Sequence, residues 1–97
     1  MMQHESSYLL DIVAYFAQLH GLTAREQEIV YCLSKYGYSN KRLAGELCIS
    51  EKTVKNHIAK IQEKTSASST RELLSMVVEQ FIVCHSMQTD KKLALAL

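Results

Sequence analysis

Proline and tryptophan are absent from the 97-residue sequence, glycine occurs only three times, and aromatic residues make up 7% of it. Without proline no position has a pre-set φ that would break a helix. With glycine only at 21, 37 and 45, and no stretch that alternates apolar and polar residues for long, strands and tight hairpins are excluded in favour of an all-helical chain. No apolar run approaches the roughly 20 residues that cross a bilayer. The start, MMQHESSYLLDIVAYFAQLHG, lacks the positive leader and small-residue cleavage site of a secretory signal. These absences predict a cytoplasmic protein with no membrane partner. The three cysteines, Cys32, Cys48 and Cys84, are odd in number and form no CxxC pair, which excludes a disulfide framework or zinc ribbon. Each has apolar neighbours and is expected to be a buried free thiol. Cys84 beside His85 supplies two ligands where a metal site needs three or four. His4, His20, His57 and His85 are scattered, and neither a nucleophile–base pairing nor a glycine loop for phosphates is present. The expectation is therefore no enzyme, no cofactor and no metal.

What the chain does have is an ordinary globular composition, 47% apolar and 22% charged, at the length of one small domain. The net charge is only +1, but it is unevenly distributed: residues 1–20 carry −2, residues 21–34 carry −1, residues 35–64 carry +4, and residues 65–97 balance at zero. A basic middle fits either phosphate chains or a solvated helix face.

Five helices account for the pattern. The first is expected from Ser6 or Ser7 to Leu19, ending at Gly21, with Leu9, Ile12, Val13, Phe16 and Leu19 as its main apolar stripe. So little of it is polar that it needs cover on more than one side. LTARE opens the second helix with Thr23 and Glu26 spaced as a capping box; Ile29, Val30, Cys32 and Leu33 face inward, and Gly37 is the stop. A short third helix, capped by Ser39 or Asn40, buries Leu43, Ala44 and Leu47. Cys48 and Ile49 make a tight connection to Ser50, the cap of a fourth helix over residues 51–64. Val54, Ile58 and Ile61 recur at i, i+4 and i+7 as its buried stripe, leaving Lys52, Lys55, Asn56, Ala59 and Glu63 on another face, with Thr53, His57, Lys60 and Lys64 on a flank. A fifth helix, from about Ser69 through Cys84, carries Leu73, Leu74, Val77, Val78, Phe81 and Ile82, a surface too apolar to face water alone. The segment MQTDKKLALAL is left open between a frayed end and a short docking helix.

The third and fourth helices, joined by a short turn, form a helix-turn-helix pattern. The run LTAREQEIVYCLSKYGYSNKRLAGELCISEKTVKNHIAKIQEK, followed by STRELL, resembles the LuxR/GerE-type helix-turn-helix domain of bacterial transcription regulators over about residues 22–78. Each motif is weak alone, but their order and spacing together are specific. The resemblance divides the chain into an N-terminal helical extension (1–21), the DNA-binding domain (22–86), a helix-turn-helix core of four helices, and a C-terminal tail (87–97). It implies a stand-alone sequence-specific transcriptional regulator, because about 20 residues before the motif leave no room for a receiver domain. Control would then come from abundance, dimerisation, another regulatory protein, or a modification such as cysteine oxidation.

The partner the resemblance implies is double-stranded DNA, read in the major groove by the fourth helix. Lys55 can donate to guanine O6 and N7, and Asn56 can pair bidentately with adenine N6 and N7. Lys52 and Ala59 complete the candidate base-reading set, with Lys52 also placed for the backbone; the Ala59 methyl either touches a thymine methyl or touches nothing. Thr53, His57, Lys60, Lys64, Asn40 and Lys41 are expected on the DNA backbone. The resemblance also implies a homodimer through the fifth helix, with Leu74, Val77, Val78, Phe81 and Ile82 at the contact, while the first helix either extends that contact or packs within its own chain. The competing reading is a protein–protein adaptor or anti-regulator acting through the apolar terminal helices. Where the family commonly has leucine and, two residues on, valine, this chain has Thr65 and Ala67, from which a looser turn into the last helix is expected.

Overall fold

Side chains that satisfy unpaired amides determine where the helices begin. The computed structural model describes residues 3–96, with side chains described for 8–86, and these form α1 (Gln3–His20), α2 (Ala24–Tyr36), α3 (Asn40–Leu47), α4 (Glu51–Thr65) and α5 (Thr70–Ala96). Thr23 Oγ1 accepts from the Glu26 amide at 3.2 Å while Glu26 Oε1 accepts from the Thr23 amide at 2.9 Å, completing the capping box of α2. Ser39 caps α3 through the Arg42 amide, and Ser50 caps α4 through the Thr53 amide. Gly21 and Gly37 end α1 and α2 in the left-handed region, with φ of 68° and 64°, where a Cβ would be strained.

The core is one cluster to which all five helices contribute. Val13 and Phe16 of α1, Ile29, Val30 and Leu33 of α2, Leu43 and Ala44 of α3, Val54, Ile58 and Ile61 of α4, and Leu73 and Val77 of α5 are buried together. α1 packs on both α2 and α5, which is the two-sided cover its composition requires. That placement turns its buried face toward Ile12, Val13, Phe16 and Ala17. Leu19, expected inside, is instead 54% exposed.

Three further expectations change. Of the cysteines, Cys48 is exposed and Cys32 and Cys84 are half-buried, so none is a core thiol. Cys48 follows α3 as a left-handed cap at φ 56°, a conformation that turns its side chain out of the packed interface. The link after α4 is well tied rather than loose. Thr65 Oγ1 donates to the Ile61 carbonyl at 2.8 Å, Ser66 takes the left-handed cap, the Ala67 amide reaches Gln62 O at 3.0 Å, and Ala67 is buried. Hydrogen bonds there do what a larger apolar side chain would do. Finally, α5 does not stop near Cys84 but runs on to Ala96, through a stretch with no glycine or proline to interrupt it.

Candidate nucleic-acid interface

The turn between α3 and α4 is built from three residues. The Ile49 amide donates to Ala44 O at 3.0 Å and the Cys48 amide to Gly45 O at 3.4 Å, so the last carbonyls of α3 are satisfied inside the turn. Ser50 Oγ then accepts the Thr53 amide at 3.0 Å and pairs with Thr53 Oγ1 at 2.9 Å. Glu51 in the first turn complements the helix dipole. α3 packs against α4, and Leu47 and Ile49 lie half-buried against the core.

This frame fixes the rotation of α4. Val54 and Ile61 are fully buried and Ile58 nearly so, which leaves Lys52, Lys55, Asn56, Ala59, Lys60 and Glu63 exposed. Thr53 and His57 are half-buried at the flank. Lys52, Lys55, Lys60 and Asn56 have no ion pair or hydrogen bond among the described side chains, so their donors are available. Thr53, Asn56, His57, Ala59 and Lys60 line a shallow concavity of about 420 Å³ on this helix.

Lys64, expected on the DNA backbone, is engaged within the chain. Its Nζ lies 2.7 Å from Glu26 Oε1, and the Glu26 carboxyl is only 3% exposed. Burial pushes that carboxyl up, but the Lys64 ammonium and the Thr23 amide and hydroxyl outweigh it and hold the group below the usual carboxylate range. The pair ties the last turn of α4 to the first turn of α2. The capping box is a local signal, whereas its third member lies 38 residues away and has no spacing rule to reveal it.

Asn40 and Lys41 occupy the first turn of α3, Asn40 half-buried and Lys41 exposed. Next to them, Tyr36 stacks on Tyr38 at 4.8 Å and the Arg42 guanidinium lies 4.7 Å over the other ring partner, Tyr38, while also bonding Glu46 at 3.2 Å. This ladder stiffens the link between α2 and α3.

On α5 the apolar residues divide. Val77 is buried in the core, and Phe81 packs edge-on to Tyr8 of α1 at 4.9 Å, so neither is a free contact surface. Val78 and Ile82 are 57% and 58% exposed, and Leu74 is half-buried beside them. Leu9, Ser34, Leu74, Val77, Val78 and Phe81 line a groove of about 340 Å³ along this side.

Among the described residues no three His, Cys, Asp or Glu side chains are grouped to hold a metal, and no helix is long and apolar enough to cross a membrane. The Cys32 thiol is pushed up by burial and by Glu28 and Glu46, which keeps it protonated.

A short helix, a three-residue turn and a second helix with an unpaired cationic and amide-bearing face define a helix-turn-helix module. The family model for bacterial regulatory proteins of the luxR family matches residues 20–77, more than half of the chain. The chain belongs to the luxR family of bacterial regulatory proteins. It is 41% identical over 63 residues to the transcriptional activator protein ExaE of Pseudomonas putida, a match covering 65% of this chain and 29% of that protein. It is 45% identical over 56 residues to the transcriptional regulatory protein DegU of Brevibacillus brevis, covering 58% of this chain and 23% of that protein. The chain thus spans less than a third of the length of either relative. No solved structure matches significantly.

Proposed function

We propose that this chain is a sequence-specific DNA-binding transcription regulator that lays α4 in the major groove and binds a two-half-site operator as a homodimer. The observation that carries the reading is the outward face of α4, where Lys52, Lys55, Asn56 and Lys60 hold donors that no group among the described residues occupies. An α-helix fits the major groove, where each base pair shows its own donor and acceptor pattern. Lys55 to guanine and Asn56 to adenine supply base readout, with Lys52 and Ala59 on the same face. Thr53, His57, Lys60, Asn40 and Lys41 are assigned to the phosphates; Lys64 is left out because Glu26 holds it.

The dimer contact is assigned to Leu74, Val78 and Ile82 of α5. The exposure of Val78 and Ile82, with Leu74 half-buried beside them, supports it, and two copies related by a two-fold axis would set recognition helices about 34 Å apart, one turn of DNA. Val77 contributes to the core beneath this face.

Selection of bound duplexes from a random pool tests the reading. The expected product is a palindrome with half-sites one turn apart, and Lys55→Ala with Asn56→Ala should cost about 1–3 kcal/mol of discrimination at each contacted base pair. Equal, weak binding to every duplex, unchanged by that pair of substitutions, would favour the adaptor reading instead.

A further inference from the structure

Resting on that reading, we infer that Ala59 is a specificity-determining residue that selects a thymine, through its 5-methyl group, at the base pair following the adenine read by Asn56. Ala59 is exposed on the same face as Asn56 and shares its concavity with Thr53, His57 and Lys60. It has neither donor nor acceptor. Along an α-helix three residues advance about 4.5 Å, and successive base pairs along a strand are about 3.4 Å apart. A helix lying in the groove with Asn56 on one adenine therefore sets Ala59 over the neighbouring pair.

The chemistry of base edges then narrows what that pair can be. Guanine offers only acceptors in the major groove, cytosine a donor, and adenine one of each, while thymine alone carries an apolar methyl there. Covering a polar edge with the Ala59 methyl would remove water and return no hydrogen bond. Covering a thymine methyl buries apolar surface on both sides. Thr53, the hydroxyl-bearing residue of this concavity, has its Oγ1 paired with Ser50 Oγ at 2.9 Å. Asn56 and Lys60 line the same concavity with longer side chains, so the small residue leaves room there for a methyl.

The experiment uses the full chain on its selected operator. Each thymine is replaced in turn by uracil, which removes the 5-methyl and leaves every hydrogen-bonding atom in place. One thymine per half-site, next to the adenine whose preference relaxes in Asn56→Ala, should lose about 3- to 5-fold in affinity, the worth of one buried methyl. Ala59→Gly and Ala59→Ser, checked for retained helicity, should bind the thymine and uracil operators equally. If no thymine next to that adenine is sensitive, or if the sensitivity persists in both Ala59 variants, the inference is overturned while the DNA-binding reading stands. Absence of any duplex preference in the intact chain would instead overturn the reading on which it rests.

Discussion

Conformational strain at single positions is the finest scale on which this fold can be tested. Cys48 sits at φ 56° in the turn that delivers α4, and Gly37 at φ 64° closes α2. A side chain in the left-handed region costs about 1–2 kcal/mol. Nothing lies within 4 Å of where a Cβ on Gly37 would stand, so the penalty for Gly37→Ala is backbone strain rather than collision. Urea unfolding should show Gly37→Ala less stable by about 1–2 kcal/mol and Cys48→Gly more stable by about 0.5–1 kcal/mol. A Cys48→Gly protein no more stable than the parent would mean that the thiol makes a compensating interaction. Gly37 is recognisable from sequence because glycine after an amphipathic run is a standard stop. Cys48 is not, since apolar neighbours argue for burial and only the turn geometry turns it outward.

At the level of whole helices, the Glu26–Lys64 pair ties the end of α4 to the start of α2 at 2.7 Å and engages the Lys64 ammonium within the chain. Lys64→Ala should therefore lower stability by about 1.5–3 kcal/mol, the range for a hydrogen bond to a charged group, and leave the salt dependence of DNA affinity unchanged. Lys60→Ala should do the reverse, reducing the slope against salt by about one with stability intact. Because the folded-state pKa of Glu26 is lowered, its contribution is fully present above the unfolded carboxylate value and fades as pH falls through the folded one. Thermal unfolding between pH 7 and pH 3 should show this loss in the parent and a reduced loss in Glu26→Gln. An equal loss in both would remove Glu26 from the account.

The whole molecule shows how one apolar helix can serve an interior and an exterior at once. α1 covers part of α5, taking Val77 and half of Phe81 into a shared interior and leaving Val78 and Ile82 open. Phe16 of α1 is 1% exposed within the shared core, so Phe16→Ala should cost about 3–5 kcal/mol of stability. Val78→Asp with Ile82→Asp should leave unfolding little changed and convert the proposed dimer to monomer in sedimentation, weakening operator binding. Dimers that survive this double substitution would move the contact elsewhere.

Local chemistry made much of the architecture legible. Capping at Thr23, Ser39 and Ser50 and the i, i+4, i+7 run of Val54, Ile58 and Ile61 act within one turn or along one helix, so the helix starts and the outward phase of α4 follow from neighbouring residues alone. What those neighbours leave undetermined is competition between distant groups. Lys60 and Lys64 read alike as cations on one flank of a helix, and Val77 and Val78 as adjacent apolar residues on another. Packing distinguishes them: a buried carboxylate 38 positions away claims one lysine, and the docking of α1 and α2 takes one valine inside and leaves its neighbour in water.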